Sequence, residues 1–423
     1  MDAAAARKTG VFLAHFSLAK GMSFFGLPAL GLALGEQTYG ALEFALAVGP
    51  VAALALTFGA PYAAMQILLM RVGRRIDDLL AVAVLACAVA ALMAAAALRL
   101  AGAPRHFEIA AAATALFGLQ AVALGYARAS SWRIGNLWIE HIPSIAVMTA
   151  AVGLIGAGLR DDLGAYALLF AMSALAVAAS AAAVFWRTRQ PAFGERLREL
   201  ARIGLPMASA ALVGTWILSS GRIWLQIAGA DESLFAYAYS FRLATFLTII
   251  VALAMGAFSA ELYRMPTRRF DRVYALMTLG LLAAALVYVA ARPEVWAARR
   301  LSPAKARMLV EQPLVLLAPI QVYFLAAQPL LDMRIARARL AGRAARATLT
   351  TALVCLGIVI VLHVLGHLTP LAIVVVAVAQ QAAALAVGHL VLARRGLPLR
   401  RAAIATAAGA AALVAWASLA AAT

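Results

Sequence analysis

The sequence predicts an all-α polytopic membrane protein: two six-helix bundles followed by a thirteenth transmembrane helix at the C-terminal end. Three observations predict it. Hydrophobic residues make up 65% of the 423 and charged residues 13%, where a soluble domain holds roughly 45–50% and 25%. Apolar segments of about 20 residues recur along the whole chain, each long enough to cross a ~30 Å hydrocarbon core as a helix. No hydrophilic stretch exceeds about 20 residues, short of the ~50 that an independent domain needs. Function therefore belongs in the membrane or at its surfaces.

The expected spans, in order, are 11–34, 41–70, 79–100, 108–130, 142–159, 164–186, 204–228, 234–262, 273–291, 313–331, 345–366, 369–393 and 402–421. The first follows Arg7 and Lys8 and lacks an A-x-A-like cleavage site, so it reads as a retained span rather than a signal peptide. Pro28, Pro50, Pro61, Pro206, Pro319 and Pro329 fall inside spans and predict bends, which neighbouring helices tolerate by re-satisfying the freed carbonyls. The basic, amphipathic stretch 187–203 is the best internal boundary. It divides the chain into an N-terminal bundle (1–186), a linker (187–203), a C-terminal bundle (204–393) and the extra helix (394–423). A faint internal echo agrees: Gly26-Leu27-Pro28 in span one and Gly204-Leu205-Pro206 in span seven.

Orientation follows from the alternate loops. With the N-terminus inside, the inside set holds 25 of the 36 basic residues, including Arg71, Arg74, Arg75, Arg128 and Arg133, and the outside set 8. The exception is the basic segment from Arg292 to Arg307, expected outside, which reads as a short interfacial helix or a miscount at span nine. The net charge of +18 is thus a topology signal and not a nucleic-acid one. Cys87 and Cys355 lie within spans and read as small core fillers.

The remaining basic residues, Lys20, Arg222 and Arg242, lie inside apolar segments. A charge at the bilayer centre costs roughly 2.5–3.5 kcal/mol on insertion scales. Three such cations point to one hydrated, positively charged chamber that attracts an anion. Polar side chains recur beside them: Thr215, Ser219 and Gln226 share a helical face with Arg222; Tyr239 and Thr245 share one with Arg242; Ser17 and Ser23 flank Lys20; Gln321, Gln328 and Asp332 line span ten. Guanidinium forks match phosphate oxygens two at a time, whereas the lysine acts as a point charge.

A structural reading stands beside this one. Arg222 and Arg242 could pair with Glu43, Glu261, Asp332 or helix-end carbonyls and lock the bundle, and Lys20 could snorkel to the inner interface. Glu43 and Glu261 lie near span ends, where a solvated or paired role is expected. Asp77-Asp78 would balance Arg74-Arg75. His363 and His367 have no third ligand nearby, so no metal site is expected. Signatures of serine hydrolases, Walker-type phosphate loops and zincins are absent.

Two stretches resemble the polysaccharide exporters of the multidrug/oligosaccharidyl-lipid/polysaccharide (MOP) superfamily, the group that includes O-antigen-type lipid-linked oligosaccharide flippases. The first runs from Leu18-Ala19-Lys20-Gly21 through Leu27-Pro28 and Gly35-Glu36-Gln37-Thr38-Tyr39-Gly40 to Phe58-Gly59. The second runs from Gly204-Leu205-Pro206 through Ser220-Gly221-Arg222 and Tyr239-Ser240-Phe241-Arg242 to Glu261-Leu262-Tyr263-Arg264. The resemblance implies a V-shaped, MATE-like pair of bundles in the bacterial inner membrane, with Lys20, Arg222 and Arg242 at a central cationic cavity. The cargo it implies is an undecaprenyl-pyrophosphate-linked glycan, moved from the inner to the outer leaflet by alternating access. Two departures stand out: the thirteenth span would put the C-terminus outside, and span two has no arginine before Arg71, which disfavours a peptidoglycan-precursor cargo.

In that scheme Lys20, Arg222 and Arg242 hold the pyrophosphate, and Ser219, Gln226, Tyr239, Gln321 and Gln328 meet the sugars. The chain would work as a monomer in the bilayer without nucleic acid or bound cofactor. Coupling to a proton gradient, a sodium gradient or the membrane potential stays open, as does association with a polysaccharide polymerase. The alternatives are a multidrug cation antiporter on the same fold, which would want carboxylates in its cavity, and an integral-membrane enzyme of glycan assembly.

Overall fold

Every regular element is helical in the computed structural model, which describes residues 3–70, 76–129 and 133–422. In a hydrocarbon environment a helix satisfies its backbone groups within one segment, and long apolar runs therefore take that form. Arg71, Arg74 and Arg75 lie outside the described residues, as do the side chains of Arg7, Lys8, Ser23, Arg128 and Arg133. The chain forms two compact units, Met1–Thr215 and Trp216–Thr423.

The first unit begins with α1 (Ala3–Gly21), which passes through a π-turn (Met22–Gly26) into α2 (Leu27–Ala33). Next come α3 (Glu36–Leu56), α4 (Ala60–Met70), α5 (Asp77–Leu100), α6 (Arg105–Ala129), α7 (Arg133–Glu140), α8 (Ile142–Gly156), α9 (Leu163–Thr188) and α10 (Phe193–Ile227). Span two, expected as one helix over 41–70, is two. Phe58 and Gly59 both take positive φ (49° and 74°) and end α3 before α4 restarts. The fifth span, expected over 142–159, is α8, and α7 precedes it at an angle of 53°. Helix α10 begins within the expected linker 187–203, at Phe193, and continues to Ile227 with a 41° bend at Pro206. Proline has no N–H for the i−4 bond, which accounts for the bend. The division between the units falls within α10.

Small residues let these helices approach closely. A Cβ on Gly118 of α6 would sit 2.6 Å from the Cys87 sulfur of α5, and Cys87 is itself free and buried, as is Cys355. One carboxylate fixes the start of α5. Asp78, fully buried, takes both arms of the Arg196 guanidinium (2.8 and 2.9 Å) and the Gln190 N–H (3.2 Å), so it clamps the start of α10. The expectation that Asp78 merely balances Arg74 and Arg75 in a loop is corrected by this pairing. A buried carboxylate needs a partner that meets both oxygens, and Arg196 supplies one.

The second unit holds α11 (Asp231–Ala244), α12 (Thr248–Arg264), α13 (Thr267–Ala291), α14 (Pro293–Ala298), α15 (Pro303–Glu311), α16 (Ala318–Arg337), α17 (Ala341–Val364), α18 (Pro370–Ala393) and α19 (Arg400–Ala422). The expected eighth span, 234–262, is α11 and α12 joined by a 3-10 turn (Thr245–Leu247), with a non-helical Phe258 inside α12. The basic segment 292–312 is two short helices, α14 and α15, rather than a missed span. α16 is the most buried helix of this unit and packs against α11, α12, α13, α18 and α19. α19 belongs to this unit: Asp271 accepts the N–H groups of Arg401 and Ala402 (3.2 and 3.0 Å) and satisfies its N-terminus.

Among the described residues ten helices are long and apolar enough to cross a membrane, and twelve if each of two bent pairs counts as one span. The chain is a multi-pass, all-α membrane protein. Of the thirteen expected spans the eighth, divided between α11 and α12, does not meet that test.

Candidate functional site

Buried polar side chains gather in the second unit where α10, α11, α16 and α18 approach one another. Gly221 makes the approach possible. A Cβ there would lie 3.1 Å from the Ala377 Cβ and 3.4 Å from the Tyr237 ring, so only a residue without a side chain fits without displacing them. The next residue, Arg222, is 5% exposed, and its guanidinium lies over the Phe241 ring, 5.1 Å from the centroid. A planar, weakly hydrated cation stacks on an aromatic face where an ammonium would keep its water.

Around it the polar groups pair with one another. The Tyr237 hydroxyl donates to Gln321 Oε1. The Ser220 hydroxyl donates to Gln380 Oε1 at 3.1 Å. Gln321 Nε2 and Gln380 Nε2 are buried donors without a partner. Each unmet donor of this kind costs about 1–3 kcal/mol, so the cluster has capacity to hydrogen-bond something more.

The structure places the expected residues unequally. Ser219 is buried one turn before Arg222 on α10. Gln226 Nε2 reaches Asp231 Oδ1 at 3.1 Å, closing the turn into α11, and Gln226 Oε1 is left without a partner. Tyr239 is buried and stacked on Phe235, with centroids 5.7 Å apart. Arg242 is half-buried near the end of α11, and its carbonyl accepts from the Thr245 hydroxyl at 2.5 Å. Gln328 lies two turns beyond Gln321 on α16 and donates to Asp332 at 2.7 Å, away from the cluster's bonds. The Thr215 hydroxyl turns back to the Ala211 carbonyl of its own helix.

Lys20 belongs to the first unit and has a different neighbourhood. Its ammonium pairs with Glu140 at 2.9 Å, where α7 ends at its bend into α8. The Gln120 amide donates to the Glu140 carbonyl at 2.5 Å, and Trp138 Nε1 donates to His15 Nδ1 at 3.2 Å, so α1, α6 and α7 are tied together there. Lys20 is thus matched by an acidic neighbour, which leaves it little net charge to offer an anion. Ser17, on the same expected stripe, is exposed.

Glu43 is 1% exposed in the first half of α3, two turns in from Glu36, so of the two roles expected for it, solvated or paired, burial leaves the paired one. Glu261 is exposed. Among the described residues no three His, Cys, Asp or Glu side chains gather as a metal set would.

Tyr237, Ser220 and Gln380 were missed by sequence reasoning. Gln380-Gln381 interrupts a 24-residue helix whose one other polar side chain is His389, and that was a legible signal. Tyr237 sits among several aromatics, and only packing separates it from them.

No family model and no curated protein matches the chain. Solved structures do resemble it. A eukaryotic MATE transporter, AtDTX14, superposes with a TM-score of 0.48 at 14% identity, over 96% of this chain and 99% of that one. An outward-facing multidrug resistance MATE family transporter of the MOP superfamily gives 0.45 at 15%, over 96% of each chain. A MOP superfamily transporter from Pyrococcus furiosus, whose binding pocket is described as having reverse polarity, gives 0.45 at 13%, over 92% of this chain and 94% of that one.

Proposed function

We propose that the chain is a transporter that moves an undecaprenyl-pyrophosphate-linked oligosaccharide from the inner to the outer leaflet of the bacterial cytoplasmic membrane by alternating access. The observation that carries this reading is Arg222, a guanidinium buried in an apolar helix, in a cluster whose Gln321 and Gln380 amides still have donors to spend. An intramembrane ionisable group is costly and by default marks a pathway for a charged ligand. Arg222 and Arg242 would take the pyrophosphate oxygens, and Gln321, Gln226 and Ser219 would take sugar hydroxyls. A ligand held more tightly in one conformation than in the other shifts the balance between them, and a transport cycle needs that difference. The reading rests on Arg222 and Arg242; Lys20 enters it only through its pair with Glu140.

The test is glycan export in a strain that depends on this chain. Arg222→Ala and Arg242→Ala, at normal protein levels in the membrane, should each abolish export. Normal export by both variants would end the reading.

A second reading, a cation antiporter, draws on Glu43, a carboxylate buried in α3 as such a carrier would want. Overexpression should then raise resistance to cationic drugs, and Glu43→Gln should remove the resistance. Unchanged drug sensitivity on overexpression would leave the first reading alone.

A further inference from the structure

A cavity of about 350 Å3 lies in the second unit between the end of α13, the helices α14 and α15, the start of α16 and the end of α19. It is separate from the polar cluster around Arg222, sharing no lining residue with it. Its volume is within the roughly 300–1,000 Å3 of small-ligand clefts.

The lining combines four chemistries: the Arg292 side chain, the Glu294 carboxyl, the Gln312 amide and the Trp416 indole, set among Leu309, Pro313 and other apolar groups. Glu294 is buried and held in place, its Oε1 accepting from the hydroxyls of Tyr288 (2.7 Å) and Ser240 (3.2 Å). Gln312 Oε1 is a buried acceptor without a partner. Arg292 sits in the left-handed region (φ 45°, ψ 60°), where helix ends ordinarily place glycine. An arginine kept in that conformation is a strained backbone position, and such positions cluster where a side chain is needed.

We infer that this cavity binds a neutral sugar residue. The inference rests on the glycan reading given above and adds to it a second site that recognises the carbohydrate rather than the pyrophosphate. Charges of both signs line the cavity, so a phosphate would gain from Arg292 and lose against Glu294 and the Gln312 oxygen. A hydroxyl-bearing ring suits all of them. Its hydroxyls donate to the unmet Gln312 oxygen and to Glu294, accept from Arg292, and leave its apolar C–H face for Trp416.

The experiment uses the purified full-length protein and free glucose, galactose and N-acetylglucosamine, none carrying lipid or phosphate. Saturation-transfer NMR should report binding of at least one sugar to the wild type at millimolar concentration. Gln312→Ala should weaken it about tenfold, the loss expected for one hydrogen bond in a buried site. Trp416→Ala should weaken it similarly, whereas Trp416→Phe, which keeps a ring and guards against a folding defect, should retain it. Inorganic pyrophosphate should not displace the sugar. Absence of saturation with all three sugars, equal binding by Gln312→Ala, or displacement by pyrophosphate would each overturn the inference. Binding of the free sugars reads this cavity and glycan export by Arg222→Ala reads the transport site, so the fate of each is read separately.

Discussion

Gly59 and Gly204 meet backbone to backbone. A Cβ added to either would overlap the carbonyl group of the other, and Gly59 is also held at a φ of +74°. The break between α3 and α4 is thereby seated against the first half of α10. Gly204→Ala and Gly59→Ala should each lower stability by about 1–3 kcal/mol, since the added carbon meets backbone that has no rotamer to change. Thermal unfolding of the purified protein measures it. Gly153→Ala, at a helical position with open space around it, should be neutral or slightly stabilising.

The Asp78–Arg196 clamp should behave as a buried pair. Asp78→Asn removes the buried carboxylate that both arms of the Arg196 guanidinium grip, at a cost of about 3 kcal/mol. Adding Arg196→Met to that variant should recover part of the loss, because the charge that had lost this buried carboxylate is then removed. A double variant no more stable than the single one would count against a charge-burial origin.

Lys20 and Glu140 should be coupled but weakly, because the Glu140 side chain is 44% exposed. A double-mutant cycle with Lys20→Ala and Glu140→Ala should give an interaction of no more than ~1 kcal/mol. The charge-swapped protein, Lys20→Glu with Glu140→Lys, should regain export that either single exchange loses. If the swapped protein stays inactive while folded, the lysine has a duty beyond this pair.

Arg222 should not be replaceable by lysine. Arg222→Lys keeps the charge but gives up the flat stack on Phe241, worth about 0.5–2 kcal/mol, and the paired donors of the fork. Export by Arg222→Lys should fall between the wild type and Arg222→Gln. Phe241→Leu should reduce stability by about 1–2 kcal/mol with the arginine intact. Equal export by the lysine and arginine forms would show that charge alone suffices.

The sequence by itself determined the class and much of the layout. Long apolar runs can meet their backbone requirements in lipid only as helices, and all the expected spans from 11–34 to 402–421 are occupied by helix. Basic clusters and prolines marked most boundaries and the bend in α10. What only the tertiary structure decided is partnership. Asp78 is polar in any reading, but that it grips Arg196, 118 residues away, depends on two helices meeting at one height. Lys20, Arg222 and Arg242 look alike in sequence as cations in apolar segments. Packing separates them, giving the first a carboxylate, the second an aromatic face and the third a half-buried helix end. Helical periodicity says which residues share a face of one helix; it carries no information about which face of another helix lies opposite.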